Sequence, residues 1–311
     1  MLNQFDQVAR NAELYVENRH YALEKTALVL GVQASRNRRK SNDLFIPVGQ
    51  GDESFDAGYA GTSPKLGLLH ELTPQIQLFA NVSKSYEPPS FSELTGGQRP
   101  NINKAQKGVS YEIGSRGALK DLSWDVALYR SELRDELLQT QVFIAGNAGA
   151  AAPQTVNVAR TVHQGLELGT SGRFLKDFEW RQSLVINQFR FDGDPTFGDN
   201  TLPGLPRTLF KGEVLYRAAH GLYGGVNLAW SPQSFYIDMA NTFSADAYAV
   251  WGAKIGQRIN ASWSWFVEGR NLSDRKYAAD TGVTRNQTGL DGAQFLPGDG
   301  RSIYGGVEWR L

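Results

Sequence analysis

Few residues of this 311-residue chain are typed and spaced for covalent chemistry. His20, His70, His163 and His220 are scattered, with no two at ligand spacing, so no metal centre is expected. The chain has no cysteine, which removes thiol nucleophiles, disulfide frameworks and cysteine metal sites. A Ser/His pair would need side chains within hydrogen-bond reach. No motif nominates one, so neither a catalytic residue nor a cofactor is expected. Two polar runs are better suited to binding. "FDGDPTFGDN" offers Asp192, Asp194, Asp199 and Asn200, oxygen ligands of the kind a hard cation accepts. The same residues dominate turns for conformational reasons, and turn chemistry is the favoured reading. "ASRNRRKSND" concentrates Arg36, Arg38, Arg39 and Lys40, groups matched to phosphate or carboxylate. A solvated rim is the plainer account of it.

The elements that position these residues are strands. Ile76, Leu78, Ala80 and Val82 alternate with Gln77, Phe79, Asn81 and Ser83. Leu122, Trp124, Val126 and Leu128 alternate with Ser123, Asp125, Ala127 and Tyr129. Leu222 to Trp230 and Trp263 to Arg270 repeat the pattern, and so does the closing "RSIYGGVEWRL". Period-two alternation sends one set to each face of a strand. It predicts about 13 strands of roughly nine to sixteen residues, longer than most soluble strands. Glycine (33 residues) and aromatics (16 Phe, 12 Tyr, 7 Trp) suit strands and tight turns. No apolar run reaches the length of a transmembrane helix. Lys plus Arg equals Asp plus Glu at 32 each, which gives no nucleic-acid footprint.

The connections alternate too. Short ones fall near 20–25, 72–75, 119–121, 175–177, 218–221 and 258–261. Long ones fall near 37–60, 87–106, 140–155, 192–205, 232–245 and 272–300. Short turns at one rim and long loops at the other are the mark of an outer-membrane barrel. "LKDLSW" recurs as "LKDFEW", each placing a Trp three residues after a Lys-Asp turn. Trp124, Trp180, Trp263, Trp265 and Trp309 all fall at the short-turn end, as an aromatic girdle at a membrane interface requires. The competing reading is a soluble β domain with these indoles in its core.

Several segments resemble the C-terminal barrel half of TonB-dependent outer-membrane receptors. "AELYVENRHYALEKTALVLGVQAS" is similar to paired strands midway round that barrel, and "ANVSKSYEPPSFSEL" to its aromatic-x-Pro-Pro segment. "KGVSYEIGSRG", "VHQGLELG", "LPGLPRTLF", "VEGRNLSDRKYA" and "PGDGRSIYGGVEWRL" follow in family order across nearly the whole chain. The ending also resembles an outer-membrane assembly signal on Gly306, Trp309 and Leu311, with leucine replacing the usual terminal aromatic. An intact strand up to the terminus is what barrel-assembly machinery would read.

The resemblance implies an all-β, antiparallel transmembrane β-barrel of 22 strands around an N-terminal plug. Residues 1–311 would be its C-terminal portion, and neither plug domain, TonB box nor signal peptide is recognised in them. It implies a receptor in the outer membrane of a Gram-negative bacterium that takes up a scarce solute, a ferric siderophore or similar iron chelate, by TonB-coupled transport. The pattern is closest to receptors for ferric dicitrate or related siderophores. Lipopolysaccharide, the barrel-assembly machinery and the TonB complex are the implied partners, and nucleic acid is not one. Ligand capture at strand tops would fall to Tyr86, Phe91, Gln98, Arg99, Gln139, Gln141, Phe235, Tyr236, Arg285, Asn286 and Gln287. Asn81, Asp125, Asn187, Lys211, Glu213, Glu268 and Arg270 would form the polar inner wall. A complete, passive small barrel and a barrel enzyme are the alternatives.

Overall fold

The computed structural model describes residues 4–46, 51–96, 99–143, 151–285 and 294–310. In chain order its strands are β1 Phe5–Leu23, β2 Thr26–Asp43, β3 Phe55–Thr73, β4 Ile76–Glu87, β5 Gln106–Leu119, β6 Leu122–Phe143, β7 Ala151–Phe174 and β8 Phe178–Phe191. They continue as β9 Thr208–Arg217, β10 Leu222–Ser231, β11 Phe235–Tyr236, β12 Ser244–Ala245, β13 Tyr248–Arg258, β14 Trp263–Arg270, β15 Ala278–Thr281, β16 Phe295–Pro297 and β17 Ser302–Trp309. One short helix, α1 Phe91–Thr95, interrupts the long connection after β4. No helix among the described residues is long and apolar enough to cross a membrane.

Thirteen strands form one antiparallel sheet in the order β1 to β10, then β13, β14 and β17. Every neighbour but two follows directly in sequence, because the pairs β11–β12 and β15–β16 are small ribbons inside long loops. The sheet curves as part of a barrel wall and is not closed, since β1 and β17 are its two outer strands. The alternation of short and long connections holds throughout. At the short rim, Leu175 and Lys176 both take left-handed backbone angles, φ 49° and 46°. The repeated Lys-Asp turns repeat a job as well. The Asp121 carbonyl accepts from Arg173 N–H (2.9 Å), and the Asp177 carbonyl accepts from Arg217 N–H (2.8 Å). Each hairpin turn thereby extends the ladder to the next strand.

Strand lengths depart from expectation. β6 and β7 run 22 and 24 residues and stay paired as far as Phe143–Ala151, where a long connection was expected from 140. β2 and β3 likewise pair well into the expected 37–60 loop. Their distal halves mix polar and apolar residues without strict alternation, as with Leu137 beside Leu138 on β6, because beyond the lipid the two faces no longer meet opposite surroundings. Hydrophobic alternation therefore fades while the hydrogen-bonded ladder continues.

The five tryptophans occupy the expected face. Cross-strand register puts Trp124, Trp180, Trp263, Trp265 and Trp309 on the parity of Leu128, Leu184, Val267 and Val307. Trp263 and Trp309 stack at 6.1 Å, 45% and 58% exposed, so they are not core residues. Phe174, Phe178 and Tyr216 continue the belt, with ring centroids 5.0 and 5.1 Å apart. Trp230 and Trp251 share that outer face at the opposite end. Trp230 stands eight residues above Leu222, about 27 Å along the strand, or about 20 Å of height at barrel tilt. Two aromatic belts thus bracket an apolar band. The buried apolar cluster of Val158, Phe191, Leu202 and Met239 lies instead among the long loops.

Candidate functional site

The concave face of the wall carries polar side chains paired with one another. Asn81, Asp125, Asn187, Lys211, Glu213, Glu268 and Arg270 all fall on the inner parity. Asn81 Nδ2 donates to Glu112 (2.5 Å), Lys254 Nζ to Glu213 (2.5 Å) and Arg270 Nε to Glu268 (2.7 Å). Tyr129 donates its hydroxyl to Asn187 Oδ1 at 2.8 Å, and Phe189 stacks on His163 at 4.3 Å.

At the long-loop end, several of the expected capture residues meet. Gln141 N–H, near the top of β6, donates to the Val283 carbonyl (2.9 Å), and Thr284 bridges to Asp238. Thr284 N–H donates to Ile237 O, next to Phe235 and Tyr236, and Ala240 N–H donates to Arg285 O. The Arg285 guanidinium lies 5.6 Å from the Phe197 ring centroid. Gln141, Phe235, Tyr236 and Arg285 therefore belong to one packed loop assembly. Phe235 and Tyr236 line a cleft of about 270 Å³ with Asn187, Phe189, Arg207 and Gln233. Of these, Phe189, Arg207 and Gln233 were missed, although Gln233 stands two residues before Phe235 in the same loop.

Tyr86, near the end of β4, and Phe91 and Arg99, on the segment between β4 and β5, form a separate group. Phe91 opens α1 and packs against Phe55 at 6.3 Å. The Glu93 carboxylate caps the helix by accepting from Ser90 N–H (2.7 Å). Asn101 and Asn103 fasten the segment to β7, both donating to Thr155 O (3.0 and 2.9 Å), and Tyr59 donates to Asn103 O. Parity along β4 places Tyr86 outward with Val82. The β3–β4 ladder stops at Lys65–Ser83, however, and the Tyr86 ring rests on Gly61, an inner-face residue. Arg99 is exposed, and Gln139 stands exposed on β6 opposite Thr155. Gln98, Asn286, Gln287 and Leu311 lie outside the described residues.

The two polar runs resolve differently. Asp194 Oδ1 accepts from Thr196 and Phe197 N–H (2.8 and 3.0 Å), and Asp199 Oδ1 accepts from Gly193 N–H (2.9 Å). This is turn chemistry. Among the described residues no cluster of three or more His, Asp or Glu side chains is placed to hold a metal ion. In the basic run Arg36, Arg38 and Lys40 point outward, whereas Arg39 is buried inward and donates to Asn11 Oδ1 (2.7 Å).

The chain is 26% identical over 282 residues to the ferric-pyoverdine 358 receptor of Pseudomonas putida, covering 87% of this chain and 32% of that protein. It is 28% identical over 183 residues to the metal-pseudopaline receptor CntO of Pseudomonas aeruginosa, covering 58% and 24%. It therefore spans about a third or less of the length of these curated relatives. The crystal structure of the ferric yersiniabactin uptake receptor FyuA from Yersinia pestis superimposes with a TM-score of 0.79 at 18% identity, over 98% of this chain and 46% of that one. Residues 2–272 match the model of the TonB dependent receptor-like β-barrel, and the chain belongs to that family of outer-membrane receptors of Gram-negative bacteria, not to the barrel enzymes.

Proposed function

We propose that this chain is the C-terminal portion of the barrel of a TonB-coupled receptor that takes up a ferric siderophore or similar metal chelate. The observation that carries the reading is the convergence of Gln141, Phe235, Tyr236 and Arg285 at the long-loop end, above a polar inner wall. A bulky anionic chelate offers carboxylate or phenolate oxygens to an arginine fork and amides, and flat ring surface to aromatics. The Phe235–Tyr236 cleft supplies the apolar contact and Arg207 the charge. Below it, ion-paired side chains such as Lys254–Glu213 contribute to a hydrated wall. Covalent chemistry has no part in this reading. The names of the ferric-pyoverdine and metal-pseudopaline receptors support a metal chelate as cargo. Plug and TonB contact belong to the whole receptor.

The test uses the purified receptor and fluorescence titration with ferric citrate, a ferric pyoverdine and the iron-free chelators. Tyr236→Ala and Arg285→Ala should each weaken the bound chelate about tenfold, or about 1.4 kcal/mol. Unchanged affinity in both variants would overturn the site. Radioiron uptake that persists without TonB would overturn the coupling and favour a passive barrel.

A further inference from the structure

The inner face of the distal wall holds a cation that solute capture at the Phe235–Tyr236 cleft does not use. Arg39 is 9% exposed and is the one buried lysine or arginine among the described residues. It stands on β2 between β1 and β3, and register sets Ala9 and Ala57 directly opposite it on either side. Two methyl side chains leave space around the guanidinium. The connection after β4 closes this corner at the same-face positions flanking Ala57. Phe91 packs on Phe55 there, and Tyr59 donates to Asn103 O at 3.0 Å.

A buried guanidinium is costly unless an anion or a full set of acceptors meets it. Arg39 has neither. Its two hydrogen bonds, to Asn11 Oδ1 (2.7 Å) and Arg38 O (3.2 Å), both leave from Nη1, so Nε and Nη2 have no acceptor among the described residues. Elsewhere an arginine takes a carboxylate two residues along the chain, as in Arg270–Glu268 (2.7 Å), Arg310–Glu308 (2.8 Å) and Arg130–Glu132 (3.0 Å). Beside Arg39 those two positions hold Asn37 and Ser41. The inward acids further along are engaged, Glu13 accepting from Gln33 Nε2 (3.1 Å) and Asp43 from Phe45 N–H (3.1 Å). Asn37 is 4% exposed, and its Nδ2 is a buried donor without an acceptor. Ser41 is buried as well, accepts from Gln7 Nε2 (3.5 Å) and keeps its own proton to give. Three alternate residues of one strand thus present spare donors to one face.

We propose that Arg39, Asn37 and Ser41 form an anion site for a small carboxylate of the size of formate or acetate. A carboxylate accepts at about four lone-pair sites, and its two oxygens match the planar fork of the guanidinium. Asn37 and Ser41 supply the remaining donors. Enclosure beneath the β4–β5 connection excludes a bulky chelate, so this site is separate from the cleft and does not depend on iron.

The test is the urea midpoint of the purified receptor as sodium acetate replaces sodium chloride at constant ionic strength, with acetamide as the uncharged comparison probe. At acetate a hundred times its Kd, the folded-to-unfolded ratio of the parent should rise about a hundredfold, and acetamide should give no rise. Arg39→Gln removes the cation and should abolish the acetate response. Asn37→Asp supplies an internal carboxylate at the spacing of Arg190–Asp192 (3.3 Å). It should abolish the response too, and raise the midpoint in acetate-free buffer. Tyr236→Ala, at the cleft, should keep the full response. A response that survives in both Arg39→Gln and Asn37→Asp, or a parent that does not distinguish acetate from acetamide, would overturn the proposal. Loss of the response in Tyr236→Ala would assign Arg39 to the capture cleft and overturn the separate site, leaving the uptake reading in place. If Arg39→Gln fails to show the heat-modifiable gel shift of a folded barrel, Asn37→Asp decides alone, since it preserves side-chain size and shape.

Discussion

His163 Nε2 lies 3.2 Å from Glu136 Oε1 across the β6–β7 pair, and the contact exists because Asp135 is left-handed, with φ 51°. Strict alternation would send Glu136 outward with Glu132 and Arg134. The left-handed residue interrupts the pleat and turns Glu136 inward, where Thr161 donates to the same carboxylate. Glu136 is only 8% exposed. Glu136→Ala leaves a buried hydroxyl and a ring nitrogen without their acceptor, a loss of about 2–3 kcal/mol. Glu136→Gln keeps one acceptor and should cost about half as much. Urea unfolding of the purified protein, followed by tryptophan fluorescence, checks both, and equal midpoints for Glu136→Ala and the parent would refute the account.

Tyr86 and Gly61 form a second dependence. A Cβ built on Gly61 falls 2.2 Å from Tyr86 Cγ, a clash with the stem of a ring and not with a flexible tip. Gly61→Ala should therefore cost about 1–3 kcal/mol through overpacking. Tyr86→Ala should remove that penalty, so the double variant should be more stable than the two single losses add up to. Strict additivity in the urea midpoints would show that the ring does not rest there.

Outer-face placement of the belt predicts where lipid reaches the indoles. In protein reconstituted with brominated phospholipids and retaining only Trp263 and Trp309, bromines near the headgroup should quench more than bromines near the acyl terminus. Interfacial aromatics sit at headgroup level. Insensitivity to every brominated lipid would place the two rings away from the membrane.

The barrel wall was legible because lipid and water impose opposite demands on alternate residues, and Ile76–Val82 and Leu122–Leu128 record them directly. Legibility ended where that demand ended. The distal halves of β6 and β7 are held by backbone hydrogen bonds that leave no mark on composition. Asp135 and Tyr86 defeat parity for local reasons, a left-handed residue in one case and the end of a ladder in the other. Within the candidate site, Phe235, Tyr236 and Arg285 could be named as aromatic and basic loop residues. Their meeting with Gln141 depends on hydrogen bonds through Val283 and Thr284, residues with no chemistry to advertise.

The aspartate loop makes a negative prediction with a clear magnitude. Calcium at a hundred times its Kd would add about 2.7 kcal/mol to a native state that binds it. Because Asp194 and Asp199 already accept backbone N–H groups, millimolar calcium should leave the urea midpoint where it was. Asp194→Ala, which removes two acceptor contacts, should lower it by about 1–2 kcal/mol. A calcium-dependent rise that Asp194→Ala abolishes would establish a cation site instead.

Gly306 and Gly305 separate packing from signalling in the last strand. A Cβ on Gly306 would lie 2.5 Å from Phe266 Cε1, because that ring covers the glycine from β14, whereas a Cβ on Gly305 would meet only a carbonyl oxygen at 3.7 Å. Gly306→Ala should slow insertion into lipid vesicles, measured as the appearance of the heat-modifiable folded band, and Gly305→Ala should not. If the glycine is needed only for the ring, Phe266→Ala in the same chain restores the rate by clearing the space. If the assembly machinery reads Gly306 together with Trp309, Phe266→Ala restores insertion into bare vesicles but not into membranes carrying that machinery. A Gly306→Ala protein that inserts at the parent rate in both settings would remove the assembly role and the packing constraint together.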